Sequence, residues 1–158
     1  DATSLRALIA DRAGDAKTAE INSRRTLSAA PAQPEALNNL AYGLLLSGGD
    51  LQEAKTLATK AVAVDPANSS FYDTLARIQL KSGDRDDAVR SFKKAVELGP
   101  ENLEALVGLV GALQSAGGRE PTGQYMTRID ELLKFKPTMA PQLKRELDAL
   151  RAATKASL

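Results

Sequence analysis

The sequence predicts an all-α protein built as a solenoid of helical hairpins. Three observations lead to this fold class: a repeat of 34 or 35 residues, apolar residues spaced as on one face of a helix, and an aromatic content of only 4%. Units of this length are typical of repeat architectures, in which each unit buries its apolar face against its neighbours. With so few aromatic residues, alanine and leucine must fill the interior, which favours closely packed helices over a sheet.

Three sequence columns repeat with one period. In each column the first two members are 35 residues apart and the last two are 34 residues apart. Because independent columns share these spacings, we predict that one structural unit recurs along the chain. The columns are the glycines of Gly-Asp pairs (Gly14, Gly49 and Gly83), three alanines (Ala19, Ala54 and Ala88) and three prolines (Pro31, Pro66 and Pro100).

Each unit carries the local signals of a helical hairpin. Leucines recur in phase in the first half of the unit, and an apolar residue follows four positions later, although Gln79 is a polar exception. Glycine should end the first helix, the following aspartate should cap the second, and proline should terminate it. We predict helices over about residues 3–12, 15–28, 34–47, 50–63, 69–81, 84–97, 103–115, 121–134 and 139–155.

Small residues predict where helices cross closely. Ala41 and Ala76 should face Ala54 and Ala88, since a methyl group at the contact lets two helix axes approach each other. Gly108 lies inside a helical pattern and is best explained by close packing rather than by phosphate binding, because no strand precedes it.

Composition excludes several classes of function. Cysteine and histidine are absent, which removes disulfides, thiolate metal sites and the commonest catalytic bases. The cluster of Asp84, Asp86 and Asp87 falls in the first turn of a helix, where carboxylates favour the helix dipole. We therefore expect no enzyme activity, no catalytic residues, no metal and no cofactor.

The charge pattern argues against nucleic-acid partners. The chain has 21 basic and 20 acidic residues, interspersed, for a net charge of +1, whereas nucleic-acid binders usually show a basic stripe. No apolar run approaches the roughly 18 residues of a transmembrane helix, so we expect no direct insertion into a membrane. The absence of cysteine suits a reducing cytoplasm and does not exclude an oxidising compartment such as a periplasm.

A consensus runs through the repeated segments: Leu-Ala in the first helix, then Gly-Asp, an acidic residue followed by alanine, a further alanine, and proline. Its members are Leu40, Ala41, Glu53, Ala54 and Ala61 in one unit and Leu75, Ala76, Asp87, Ala88 and Ala95 in the next. This pattern resembles the tetratricopeptide repeat family, closely over 34–102 and loosely over 3–33 and 103–137. The segment ALNNLAYGLLLSGGDLQEA is most similar to repeats of bacterial proteins of exopolysaccharide secretion and protein sorting.

The resemblance implies a right-handed superhelix formed by a single domain over 1–158. Its repeats would cover about 1–33, 34–68, 69–102 and 103–137, followed by a capping helix over 138–156, within a longer native chain. The last unit departs from the pattern, with Tyr125 where alanine belongs. We therefore expect its second helix to sit differently against its partner.

The resemblance also implies a concave groove lined by the first helices of successive units. There, asparagine amides would bind a peptide backbone, and Arg77 with Lys81 would attract a carboxylate. Alternatively, these residues are solvated polar side chains, and Tyr42 packs into the seam between helices. The predicted groove residues are Asn38, Tyr42, Leu45, Asp73, Arg77, Lys81, Val107, Gly111 and Gln114.

The function predicted from the resemblance is a non-catalytic scaffold that binds a protein or peptide. Two alternatives stay open: a non-catalytic arm of a larger enzyme or export machine, and, more distantly, a helical-repeat RNA reader of the pentatricopeptide kind. We also expect either self-association through the first helix pair or disordered, poorly packed residues 1–13, with a preceding repeat covering this end in the full protein. The reason is that several residues give the pair more apolar surface than one neighbouring unit can cover: Leu5, Leu8, Ile9 and Ile21.

Overall fold

A computed structural model describes residues 17–117, 121–135 and 140–156, which form α-helices joined by short turns without any strand. The predicted helix over 3–12 lies outside these residues. The all-α hairpin solenoid is confirmed for the described chain. Its helices are α1 (17–29), α2 (Pro34–Ser47), α3 (Leu51–Val64), α4 (Ser69–Ser82), α5 (Arg85–Leu98), α6 (Leu103–Ser115), α7 (Gly123–Phe135) and α8 (Pro141–Ala156).

The turns inside the hairpins explain why the unit of α2 and α3 is one residue longer than the unit of α4 and α5. Gly48 ends α2 with φ 69° and Gly83 ends α4 with φ 88°, both in the left-handed region that favours glycine. One further residue, Gly49, lies between Gly48 and Asp50, the residue that caps α3. Asp84, in contrast, follows Gly83 directly. The additional residue of the longer unit is therefore Gly49.

Of the three predicted aspartate caps, Asp15 lies outside the described residues, and one of the other two differs from expectation. Asp50 accepts hydrogen bonds from the backbone N–H groups of Gln52 and Glu53, at 2.8 and 3.1 Å. Asp84 makes no such bond at the start of α5; its Oδ2 instead accepts from Lys55 Nζ at 2.6 Å. The carboxylate therefore joins two neighbouring hairpins, because a cation from α3 outcompetes the local N–H groups.

The four alanines predicted to lie at the helix crossings are fully buried, whereas Ala19, in the same column as Ala54 and Ala88, is exposed. Ala41, Ala54, Ala76 and Ala88 all have 0% of their surface exposed. Ala41 and Ala54 belong to one core cluster, in which leucines fill the space around the crossing. Larger side chains at these positions would overpack the contact.

Two larger side chains complete the core of the α4–α5 hairpin and its contact with α6. Phe92 is fully buried and packs on Leu109 and on the backbone at Gly108. Gln79, the polar exception in its column, is 8% exposed and accepts a hydrogen bond from Ser91 Oγ at 2.7 Å. The hydrogen bond thus satisfies the amide oxygen of Gln79, whose burial without a partner would cost free energy.

The carboxyl-terminal helices depart from the regular repeat. α7 packs on α6 over a smaller contact than the one that joins α4 to α5, as the irregular sequence of this unit led us to expect. α8 buries Leu143 and Leu147 against Val107, Val110 and Ile129. Over the described residues, no helix combines the length and the apolar character needed to cross a membrane.

Candidate functional site

An open groove of about 690 Å³ lies between α2, α4 and α8. Residues of α2 and α4 that are three or four positions apart share one helix face, so each helix presents a row of side chains to the groove. The lining residues are Ala19 of α1; Asn38, Asn39, Tyr42, Gly43 and Leu46 of α2; Ser70, Asp73, Thr74 and Arg77 of α4; Glu104 of α6; Ala140; and Gln142, Leu143 and Glu146 of α8.

One wall of the groove is apolar and open to solvent. Tyr42 is 41% exposed and Leu46, four residues further along α2, is 58% exposed. Tyr42 is therefore not buried in the seam between helices. Leu46 was not among the predicted groove residues, although its i+4 spacing from Tyr42 is the signal that could have identified it.

The opposite wall is built around an ion pair within α4. Arg77 Nε donates to Asp73 Oδ2 at 2.8 Å, and Arg77 Nη2 donates to the backbone carbonyl of Glu104 at 3.1 Å. The guanidinium also lies over the ring of Phe92, 5.9 Å from its centroid. Although burial opposes the charged form, the charge and hydrogen bond of Asp73 leave the pKa of Arg77 raised. Arg77 is thus held by three contacts within the protein.

The groove floor contains acceptors that lack donors. Asn38 Oδ1 and Asp73 Oδ1 are buried and have no hydrogen-bond partner among the described residues. Burial raises the pKa of the Asp73 carboxyl, even though the charge and hydrogen bond of Arg77 act in the opposite direction. Because a buried polar group without a partner costs free energy, a donor brought by a ligand would stabilise this site.

The charges that line the groove are mainly negative. Glu104 at the start of α6 and Glu146 on α8 join Asp73, while Arg77 is the cation within this lining. Arg77 already pairs with Asp73. The two glutamates therefore add a negative field that the groove lining itself does not neutralise.

The concave positions predicted on α6 are covered by α8. Val107 is fully buried against Leu143 and Leu147. Gln114 Nε2 donates to Thr154 Oγ1 at 3.0 Å and to the carbonyl of Leu150 at 3.5 Å. A Cβ on Gly111 would meet Leu150 Cδ2 at 3.7 Å. The groove therefore ends at α8, and Gln114 serves the attachment of that helix.

Of the other predicted groove residues, four lie together in the groove lining and two lie outside it. The structure brings Asn38, Tyr42, Asp73 and Arg77 together in the lining. Leu45 instead packs against the core cluster that contains Leu40 and Leu44, and Lys81 is exposed near the end of α4, outside this lining. The contributions of Glu104 and Glu146 depend on how α6 and α8 approach α4, which no local pattern indicates.

Comparison with known proteins supports the repeat assignment. The sequence profile described as "Tetratricopeptide repeat" matches residues 69–102, which contain the α4–α5 hairpin. The chain is 40% identical over 57 residues to BBSome complex member BBS4 of Xenopus tropicalis, which covers 36% of this chain and 11% of that protein. It is 41% identical over 54 residues to the DnaJ homolog subfamily C member 7 homolog of Dictyostelium discoideum, covering 34% of this chain and 10% of that protein. The matches thus span about a tenth of these relatives.

Solved structures show the same fold over most of the chain. A mutant of the Thermobaculum terrenum O-GlcNAc transferase superposes with a TM-score of 0.68 and 29% identity, over 85% of this chain and 26% of that one. MamA from Desulfovibrio magneticus RS-1 superposes with a TM-score of 0.70 and 20% identity, over 80% of this chain and 71% of that one. The chain therefore contains a tetratricopeptide repeat within an all-helical solenoid of the same kind as these structures.

Proposed function

We propose that this chain is a non-catalytic scaffold that binds a peptide segment of a partner protein in the groove between α2, α4 and α8. The observation that carries the proposal is the exposure of Tyr42 and Leu46, 41% and 58%, on the wall of an open groove. Exposed aromatic and aliphatic side chains in a concave site are typical anchors of protein interfaces.

The groove also presents acceptors that a peptide can use: Asp73 lies on the opposite wall, and Asn38 lies on α2, one turn before Tyr42. The amide of Asn38 lines the groove beside the apolar wall, and its Oδ1 lacks a donor among the described residues. An extended peptide alternates side chains with backbone N–H groups, so it can place apolar side chains on one wall and N–H donors on the other. The groove chemistry therefore suits a peptide better than a flat partner surface.

The wider setting also belongs to the proposal. The likeness of the chain to about a quarter of the Thermobaculum terrenum transferase chain favours a non-catalytic arm of a larger protein as the second candidate. A place in a bacterial secretion or envelope assembly follows only from the sequence resemblance given above. A helical-repeat RNA reader is less favoured, because the carboxylates of Glu104 and Glu146 in the groove would repel a phosphate backbone.

A matched pair of substitutions tests the groove. A library of random decapeptides is selected against the chain, and the affinity of the selected peptides is measured by fluorescence polarisation. Leu46→Ser should weaken binding by about 1–2 kcal/mol, because an apolar contact is lost. Val64→Ser is the control, since Val64 is 48% exposed on α3 outside the groove lining. Equal affinities of the Leu46→Ser variant and the unmodified chain would exclude the groove.

A further inference from the structure

Two acceptor oxygens on the polar side of the groove lack hydrogen-bond donors. Asp73 Oδ1 and Asn38 Oδ1 lack partners among the described residues, and both side chains line the groove. These two residues lie 35 positions apart and occupy the same column of successive repeats. Both oxygens are buried, so a ligand donor reaches them only where the side chains turn toward the groove. The site thus offers acceptors and calls for a ligand with donors.

Arg77 is already paired within the protein. Its Nε and Nη2 groups donate to Asp73 and to the carbonyl of Glu104, and its guanidinium lies over the ring of Phe92. Because Asp73 balances its charge, a ligand carboxylate would compete with Asp73 for the remaining N–H groups of the guanidinium. We therefore assign Arg77 the role of holding Asp73 at the groove, rather than the attraction of a carboxylate expected from the sequence.

The charges at the groove favour a cation. Glu104 and Glu146 approach the Asp73–Arg77 pair from α6 and α8, and both line the groove. Because the charge of Asp73 is paired with Arg77, the two glutamates give the lining its net negative charge. This charge would repel an acidic ligand and attract a basic side chain, which also supplies several N–H donors. Electrostatic complementarity of this kind selects between partners more than it adds affinity.

We propose that the groove selects a peptide segment that carries a lysine or arginine side chain, held by Asp73, Glu104 and Glu146, next to an apolar residue that packs on Tyr42 and Leu46. The inference rests on the proposed function, and it specifies the chemistry of the occupant. The basic side chain donates to the carboxylates, while its aliphatic stem and the neighbouring apolar residue cover the tyrosine and leucine.

The composition of the selected decapeptides is the first test. Lysine or arginine should be enriched within a few positions of a large apolar residue. In the peptide with the highest affinity, norleucine then replaces the basic residue, which removes the charge and keeps the stem. The affinity should fall about tenfold or more, as expected for loss of a charge-assisted hydrogen bond.

The second test uses charge-neutral variants of the protein. The double variant Glu104→Gln/Glu146→Gln should bind the basic peptide about tenfold more weakly and should respond less to norleucine, because the two changes remove one interaction. Its control is Asp86→Asn/Glu101→Gln, which removes two exposed carboxylates outside the groove lining. That control should keep the affinity of the unmodified chain.

The outcomes separate the inference from the proposed function. Selected peptides that are neutral or acidic, with affinities sensitive to Leu46→Ser but unchanged by the glutamine variant, would overturn the inference alone. Failure to select any peptide whose affinity depends on Leu46 would overturn the groove as a peptide site, and the inference with it. Basic peptides that bind both double variants equally would place the cation site elsewhere on the surface and would also overturn the inference.

Discussion

The ring of Phe92 lies directly against the α-carbon of Gly108, so closely that a Cβ at that position would come within 2.3 Å of Phe92 Cε1. This contact joins α5 to the first helix of the next hairpin. A fully buried aromatic side chain can occupy the seam because the facing residue has no side chain. Phe92 in turn lies beneath the guanidinium of Arg77, so the core contact also supports one wall of the groove.

Gly108→Ala should therefore destabilise the chain although alanine favours helix formation. Overpacking a tight core contact costs about 1–3 kcal/mol, against a gain of about 1 kcal/mol in helix propensity, so we expect a small net loss of unfolding free energy in urea. Gly43→Ala is the control, since nothing lies within 4 Å of the added Cβ, and it should stabilise α2. A Gly108→Ala variant as stable as the Gly43→Ala variant would contradict the packing described for Phe92.

A leucine at an alanine column should also be destabilising. Ala88 has no exposed surface at the crossing of its helix pair, and we expect Ala88→Leu to lower the unfolding free energy by about 1–3 kcal/mol. Ala63 is exposed on α3, so Ala63→Leu should change the stability by less than about 0.5 kcal/mol. Thermal and urea unfolding of both variants measures the difference, and similar losses in the two would contradict the helix register.

The buried pair of Gln79 and Ser91 predicts a loss of stability in a single variant that a second substitution largely restores. Ser91→Ala removes the donor to Gln79 Oε1 and should cost about 1–3 kcal/mol, because the amide oxygen is left unsatisfied. Gln79→Leu in the same chain should recover most of this loss, since leucine or another apolar residue occupies this column in other units. A double variant no more stable than Ser91→Ala would show that the hydrogen bond does not account for the cost.

The Asp73 carboxyl should titrate above its usual pKa of 3.8, because burial disfavours its charged form. Because the folded chain binds the Asp73 proton more tightly than the unfolded chain does, protonation of Asp73 stabilises the fold. This contribution is complete below the unfolded pKa and is lost as the pH rises through the folded pKa. Carbon-detected NMR of the carboxyl measures the titration. The titratable groups around it, on four helices, are Tyr42, Arg77, Glu104 and Glu146.

Arg77→Gln provides the matched variant for this titration. Loss of the guanidinium removes the charge and the hydrogen bond that lower the pKa of Asp73, so the pKa should rise further. Glu104→Gln should move it in the other direction, since the charge of Glu104 raises it. An Asp73 carboxyl that titrates at or below 3.8 in the unmodified chain would contradict the burial of this side chain.

Local sequence signals were sufficient to predict most helix boundaries. α2 and α6 span Pro34–Ser47 and Leu103–Ser115, the ranges predicted from the repeat, and α3, α4 and α5 differ by one residue at their ends. Glycine, proline and capping residues act within one turn of the backbone, so their effect can be read from neighbouring positions. The fully buried Ala54 was equally predictable, because it recurs with the period of the repeat.

The sequence by itself thus determined the all-α class, the hairpin units and part of the groove, including Asn38, Tyr42, Asp73 and Arg77. Only the tertiary structure decided that α8 covers Gln114, that Arg77 is engaged within the protein, and that Glu104 and Glu146 join the groove. These contacts join residues 27 or more positions apart. They depend on the angles and distances at which helices pack, and all the side chains of an interface together determine this geometry. A helix end, by contrast, depends on the few residues that form it.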